Sequence, residues 1–500
     1  MRQPLTVRYR ERLAGVLSCY DRMIVTGTLP GACYAKGMTG FLSARQIRIF
    51  DYPRFAEPLR DRVRERAAAL ASAAGITIEH ITKNHIRKED VVARVLVVRG
   101  DRPGLVHIIS AMEACDSYKP WHDKRTHRTF LRPDSGKCLH YYFYFIDAEL
   151  GLIYLRVPTW CPFRLQFYCN GHSWLARQLT AAGIGFTLAD NAFVCIDDWP
   201  RAQTLADQLS PAALHGVLDR YAKQCCPVFD VLAPSYHWSF MQVEYATDLV
   251  FRSQAVLKPL YEQLSRQAIL SVKAKHVATF LGLKITPQLA QEIGSQFATR
   301  IEGTCLKHRF GKSSIKIYDK FALVLRLETT TNDVAAFQHY RKVEQQGPAS
   351  YALAPVKKNI YSLTDLRHIL LGCNRRYLQY LSSLDDFSAG IRALDCLTRP
   401  RPVKGRTVRG LNFFSHPEQT LLSALQRPAF NIAGFRRADL LPTLAQCSPA
   451  TLTRQLARLR QLHVIKRVTG TYRYYLTRAG RAAIAAGRRL AEQTIIPVLA

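Results

Sequence analysis

Residues Ser448–His463 read SPATLTRQLARLRQLH, and the C-terminal part of the chain is assigned from them outward. Ser448 offers a side-chain oxygen at a helix N-cap, and Pro449 fills the first helical position, where no amide hydrogen is needed. Leu452, Leu456, Leu459 and Leu462 follow at spacings of four, three and three, so one helical face is apolar. The other face carries Thr451, Thr453, Arg454, Gln455, Arg458 and Arg460, with no acid among them. Next, Val464–Val468 and Tyr472–Leu476 alternate as short strands around Thr469-Gly470-Thr471, which is the pattern of a hairpin. Thr477 is placed to cap a last helix over Arg478–Glu492. Upstream, Pro417–Ala424 and Ala438–Leu444 supply two more helices, the second after the turn-forming Gly434.

This order of elements, with the segment LHVIKRVTGTYRYYLTRAG that starts at Leu462, resembles the MarR-type winged helix-turn-helix regulators. The resemblance covers Pro417–Glu492 and says nothing of the rest. It implies a third helix in the major groove of double-stranded DNA and a wing on phosphate or minor groove. Thr451, Arg454, Gln455 and Arg458 then face bases, while Lys466, Arg467, Tyr472 and Arg473 face the backbone. A winged-helix protein-docking module is the competing reading. Charge favours DNA: residues 399–500 hold 18 Lys/Arg against 3 Asp/Glu, and a polyanion is the natural partner for such a surplus. A homodimer is also open.

Five hundred residues exceed one core, so two to four domains are expected. A net charge of +32 with 48% hydrophobic residues points to nucleic acid before a membrane surface. No apolar run approaches the length of a membrane span, and the start, MRQPLTVRYRERLAG, lacks the apolar core of a secretory signal. Thirteen scattered cysteines fit reduced core thiols in a cytoplasmic, nucleoid-associated protein. Arginine abundance and many alanines suit a GC-rich bacterial gene.

The fold expected is α+β and multi-domain: a mixed or antiparallel sheet body with helical insertions, then the winged helix. The divisions read as a helical region over 1–103, an α+β domain over 104–210 and a middle domain over 211–397. A Pro/Arg linker over 398–412 and the winged helix over 413–500 complete the chain. Tyr9–Tyr20 reads as helix and Met23–Leu29 as extended. Asp116–Gly136 reads as an exposed loop whose Lys119, Trp121, Lys124, Arg125 and Arg128 suit single-stranded nucleic acid or RNA, rings stacking and cations tracking phosphate. An ordinary solubilising loop is the equal alternative. Leu214–Phe280 reads as mostly helical, which sets the acids Glu244 and Asp248 one turn apart. Phe337–Gln345 reads as helix, and Leu363–Leu384 as a helical pair.

Within the body, IKIYDK at Ile315–Lys320 and LRLE at Leu325–Glu328 form two facing strands that gather Lys316, Asp319, Lys320, Arg326 and Glu328. The pair resembles the strands of rolling-circle replication initiators, in which a tyrosine attacks a DNA phosphate and acids or histidines hold a divalent metal. Carried over, Asp319 and Glu328, with Glu244 or Asp248 brought in by folding, are candidate Mg²⁺ ligands of a DNA-nicking or DNA-joining enzyme. The chain departs from that family in lacking a histidine–hydrophobic–histidine strand. A salt-bridged structural hairpin is the plainer reading, and a regulator that senses a ligand or binds RNA is a third. GKSS at Gly311–Ser314 precedes a strand and lacks the upstream glycine of a phosphate loop. Cys161, Cys169 and His172, with Cys138, His140 or Cys195, are weak zinc candidates because no C-x-x-C pair exists.

Overall fold

Leu13–Thr28 forms strand β1 in the middle of a large sheet, where both faces are covered and a nearly continuous apolar run is tolerated. The computed structural model describes residues 3–83, 85–232, 235–283, 297–302, 304–343, 350–385, 394–403, 405–444 and 447–490. The chain divides into two units, Met1–Asp385 and Asp386–Ala500, each with its own apolar core.

In the first unit β1 is followed by β2 (Ile78–Ile81), β3 (Gly104–Asp123), β4 (Arg128–Asp147), β5 (Gly151–Pro158) and β6 (Leu165–Asn170). After the hairpin β7 (Phe186–Ala189) and β8 (Ala192–Ile196) come β9 (His237–Phe251), β10 (Phe297–Glu302), β11 (Cys305–Phe310), β12 (Ser313–Lys320) and β13 (Val324–Thr331). Eleven of these make one sheet in the order β10-β11-β12-β13-β9-β1-β6-β5-β4-β3-β2. All its pairs are antiparallel except β2 with β3. The body is therefore mixed helix and sheet, and the expected breaks at 103 and 210 are absent. β1 from the supposed helical region lies between β6 and β9, so a single sheet runs through all three segments.

One face of the central strands carries Tyr245, Leu249, Ile315, Ile317, Leu325 and Leu327, all buried. The helices Gln254–Ser271, Ala274–Leu281 and Leu363–Asp385 pack on this side. Asn374 ties the last of them down: its amide donates to Tyr245 O at 3.0 Å, and its Oδ1 accepts from Thr329 Oγ1 at 2.7 Å. The other face is polar and holds the site described below. Gly15 marks where a helix presses on β1, because a Cβ there would lie 2.0 Å from the Trp199 indole.

Several local expectations are corrected. Tyr9–Tyr20 is strand from Leu13 onward, and His237–Phe251 is strand within the stretch read as helical. Leu363–Asp385 is one helix, because Gly372 is tolerated in its interior. Gln338–Val343 is strand β14, paired with β15 (Ser350–Pro355); Gln345, the expected helix end, lies outside the described residues. Asp116–Gly136 is a long antiparallel ribbon of β3 and β4, not a loop. Its tip is exposed on both sides, so no apolar alternation betrays its strands.

In the second unit the Pro449–Gln461 helix forms as read, with Ser448 Oγ accepting from Thr451 N at 3.2 Å. Helices His416–Leu425, Pro428–Ala433 and Arg437–Leu440 precede it. The hairpin of β18 (Ile465–Arg467) and β19 (Tyr474–Leu476) and the helix Arg478–Leu490 follow. The expected helix end at Glu492 lies outside the described residues. Leu452, Leu456 and Leu459 pack with Leu421, Leu425, Phe435, Val464 and Ile484. Phe435 exchanges backbone hydrogen bonds with Tyr474 at 2.9 and 2.8 Å, so a third chain segment lines the hairpin. Gly434 permits this approach: it has φ of 68°, and a Cβ would lie 2.8 Å from Tyr474 O. The supposed linker also folds. Arg401–Val403 (β16) and Arg406–Val408 (β17) pair, and Val408 and Leu411 enter the core of this unit.

Arg458 is not free on the helix. Its Nη1 lies 3.1 Å from Glu418 Oε1, with the Glu418 side chain only 9% exposed. Arg458→Ala strands that carboxylate and is expected to destabilise the C-terminal unit by about 2–3 kcal/mol. Arg454→Ala, at an exposed position, should change it by no more than about 0.5 kcal/mol. Hydrogen exchange at the Leu452 and Leu456 amides distinguishes the two.

Candidate functional site

Cross-strand partners share a sheet face, so the register alone places the charges. Asp248 lies opposite Arg326, Ala246 opposite Glu328, and Thr330 opposite Glu244. On the next strand Tyr318 faces Arg326 and Lys316 faces Glu328. Glu244 and Asp248 are therefore on one face of a strand, not one turn apart on a helix; a separation of four residues satisfies both periods. In β1, Cys19 lies opposite Ala246 and Tyr20 opposite Tyr245, so alternation puts Asp21 in the same row.

Arg326 is the centre of this row and is fully buried. Its Nε and Nη2 donate to the two Asp248 oxygens at 2.6 Å each, and Nη1 donates to Asp21 Oδ2 at 3.2 Å. Nη2 also reaches Asn191 O at 2.7 Å and His172 Nε2 at 2.9 Å. His172 Nδ1 lies 3.2 Å from Asp21 Oδ1 and its Nε2 3.8 Å from Asp248 Oδ2; burial opposes the charged ring, but these carboxylates outweigh it and raise its pKa well above the ordinary value. Asn170 and Asn191 each donate to Asp21 at 2.8 Å. Burial raises the Asp21 carboxyl, but hydrogen bonding from His172 and the Arg326 charge outweigh it and hold it well below the usual range. Asp248 is likewise depressed: burial opposes ionisation, and Arg326 overcomes it.

Beside this network, Asp21, Glu244 and Glu328 offer carboxylate oxygens that all lie within 4.8 Å of one another. Among the described residues no other three His, Cys, Asp or Glu side chains converge so closely. Lys316 donates to Glu328 Oε1 and lies 3.7 Å from Glu244 Oε1. Tyr318 OH donates to Glu328 Oε2 at 2.5 Å. Burial, and then the Glu328 charge, push the Glu244 carboxyl up to about 7. Asp21, Asp248, Glu244 and Glu328, when all ionised, face Arg326, Lys316 and the His172 ring, which leaves at least one negative charge uncompensated. Three hard oxygen donors with that surplus suit Mg²⁺ or Mn²⁺.

Asp319 does not join them. It follows Ile315 and Ile317 on the helix-covered face, where burial raises its carboxyl and Lys258 is the nearby charge. Asp248 is in the row but is held by Arg326 rather than turned to the acids. Cys161 and Cys169 are fully buried, with thiols pushed up to about 12 by burial, which is the behaviour of core cysteines. Asp21, Asn170 and Asn191 are absent from the sequence reading. The one local sign was a lone acid inside the apolar strand SCYDRMIV.

The β3–β4 ribbon presents Lys124, Arg125 and Arg128 at an exposed tip, and Asp123 accepts from Arg125 N at 2.9 Å. Trp121 is half exposed and stacked by the Arg132 guanidinium 4.0 Å from its ring centre, while Lys119 pairs with Asp134 at 3.3 Å. Near the root of the ribbon is a cleft of about 810 Å³ lined by His140, Arg156, Trp160, Arg164, Gln166 and Lys358 among others. Arg156, Arg164 and Lys358 are already paired with Glu113, Asp116 and Asp333, and burial holds His140 down at about 4. The cleft is thus neutralised by its own acids and is a poor anion trap.

In the C-terminal unit Arg454, Lys466, Arg467 and Tyr472 are exposed, whereas Thr451, Gln455 and Arg473 are half-buried. Thr451 Oγ1 accepts from Arg454 Nη2 at 3.3 Å, Gln455 Oε1 accepts from Cys447 Sγ at 3.7 Å, and Arg473 donates to Ala433 O. Arg467 lies 4.7 Å from the Tyr472 ring centre. Among the described residues no helix is long and apolar enough to cross a membrane. In comparisons with family models, curated proteins and solved structures, nothing matches this chain.

Arg326→Met leaves Asp21 and Asp248 buried without a counter-charge and should destabilise the first unit by about 3–5 kcal/mol. Adding Asp21→Asn and Asp248→Asn should recover part of that loss in a denaturant titration. Glu244 makes stability pH-dependent in a defined direction. Its folded pKa, about 7, exceeds the ordinary 4.5, so the folded state retains a proton that the unfolded chain releases. Stability then falls as pH rises between those values, by up to about 3 kcal/mol. Glu244→Gln should flatten that slope.

Proposed function

We propose that this is a DNA-binding protein whose C-terminal unit is a winged helix that docks the Pro449–Gln461 helix in the major groove of duplex DNA. The observation that carries the reading is the fate of its charges. The described acids of the unit, Asp395, Glu418 and Asp439, are engaged by Arg399, by Arg458 and by the Arg436 amide. Arg454, Arg460, Lys466 and Arg467 stay exposed on one helix and one hairpin. Lys466 and Arg481 also line one cavity of about 290 Å³ beside the hairpin, where a backbone phosphate fits. Arg454 is the base-reading candidate, and Arg458 is a structural residue.

On a duplex selected from a random pool, Arg454→Ala should weaken binding by about 1–3 kcal/mol and spare random DNA. Lys466→Ala and Arg467→Ala should weaken all duplexes alike, each lowering the slope of log affinity against log salt by about 1. An affinity unmoved by salt would overturn the reading.

A second reading rests on a different observation, the convergence of Asp21, Glu244 and Glu328. In it these carboxylates hold a Mg²⁺ ion for phosphodiester cleavage or joining in DNA. The ion supplies charge stabilisation at a phosphoryl oxygen and an activated water. Lys316 holds Glu328, and Glu244 must lose its proton before it can serve as a ligand. Mg²⁺ affinity, measured by calorimetry, is therefore expected to rise with pH up to about 7. With supercoiled DNA and Mg²⁺, nicked product should form with the wild type and not with Glu328→Gln. Asp319→Ala should retain activity, because its side chain is on the other face.

A further inference from the structure

The strand Ser350–Pro355 reads S-Y-A-L-A-P, and it folds with its large residues on the wrong side for a packed strand. Ala354 is buried and Ala352 half-buried, whereas Tyr351 is 77% and Leu353 55% exposed. Its partner β14 matches this arrangement: Tyr340, 75% exposed, lies opposite Leu353, and Lys342 lies opposite Tyr351. Two tyrosines, a leucine and a lysine thus share one outward face of a two-stranded ribbon. A strand that only needed to cover its own root would turn the tyrosines inward and the alanines out.

We propose that this face is a stacking platform for single-stranded nucleic acid. Two rings on an extended ribbon fit the planar faces of unpaired bases, which any sequence presents. The charges on the same ribbon decide between a nucleic acid and a protein occupant. Among the described residues Lys342 and Lys357 are exposed and have no acidic partner. Arg341 is held by Pro355 O at 2.9 Å and Lys342 O at 3.3 Å and not by a carboxylate. Lys342 is directly across from Tyr351 on the ring-bearing face, and Lys357 lies just past the strand, so a cation beside exposed rings matches a phosphate between bases. The ribbon is firmly anchored at its base, since Val356 N donates to Phe337 O at 2.9 Å, and Phe337 and Val356 are buried there. Lys358, just beyond, lines the 810 Å³ cleft near the root of the β3–β4 ribbon. The platform belongs to the first unit and the Pro449–Gln461 helix to the second, so this proposal does not rest on the duplex reading.

The test is fluorescence anisotropy of the full-length protein with a labelled short oligothymidylate, alongside a labelled duplex. Tyr340→Ala with Tyr351→Ala should weaken the oligothymidylate complex by roughly tenfold per ring and leave duplex binding unchanged. Tyr340→Phe with Tyr351→Phe should keep wild-type affinity, since stacking needs the ring and not the hydroxyl. Lys342→Gln should lower the salt slope for the single strand by about 0.7. Ultraviolet crosslinking should place adducts on β14 and β15. Binding of oligothymidylate within twofold of wild type by the double alanine variant overturns the proposal, as does loss by the phenylalanine variant. A double alanine variant that alters only the sedimentation of the protein alone identifies a protein-docking face and equally overturns it. Failure of the duplex reading would instead appear in the Arg454 and Lys466 variants, with the single-strand arm intact.

Discussion

The sheet depends on one guanidinium. Arg326 is buried on β13, where removal from water is costly, and that cost is met only by neighbours drawn from four other places: Asp248 on β9, Asp21 on β1, His172 at the start of a helix and Asn191 in the β7–β8 turn. Each neighbour satisfies part of the charge or the hydrogen-bonding capacity, and none can be moved without exposing the others. Such a network contributes less to net stability than its bond count suggests. Its effect is on uniqueness: the strands can be paired in one register only, because a slip of one residue would turn Arg326 into the apolar face.

That constraint also prepares the three carboxylates beside it. Asp21 serves in both, bound to Arg326 on one side and within reach of Glu244 and Glu328 on the other. Burial, then the Glu328 charge, and to a lesser degree the fixed Asp21 carboxylate keep the proton on Glu244. The second face of the same strands packs against helices and is mostly apolar, with Tyr245, leucines, isoleucines and Thr329. The division of labour follows the period of two: Glu244, Asp248, Arg326 and Glu328 are at even positions of β9 and β13, while Tyr245, Leu249, Leu325 and Leu327 are at odd ones.

The parts of the chain that were legible are those in which the pattern is local. The Pro449–Gln461 helix has a cap, a leucine stripe and a following turn, all within thirty residues of sequence, and it folds where it was read. The β12–β13 pair is legible for the same reason. The second half of β1 is legible as extended from Met23, but its first half and β9 are not, because strands buried on both faces lose their alternation and resemble helix in an apolar run. The β14–β15 ribbon was missed because its alternation is inverted. Asp21 was invisible for a deeper reason: its partners are at 170, 191 and 326, and no window of sequence contains them. Glu244 and Asp248 fall on one face whether their segment is helix or strand, because a spacing of four fits both periods.

The order of strands has a consequence for how the chain acquires its structure. β1 is made first but pairs with β6 and β9, and Leu13 meets Phe251 across the whole intervening chain. Contacts of that span close late and slowly. On the ribosome, a sixteen-residue apolar segment therefore emerges well before either neighbour exists. Until β9 arrives its edges are unpaired, which leaves backbone groups open to pairing with other chains in that interval. The C-terminal unit draws its core from Leu397 onward and has no such wait.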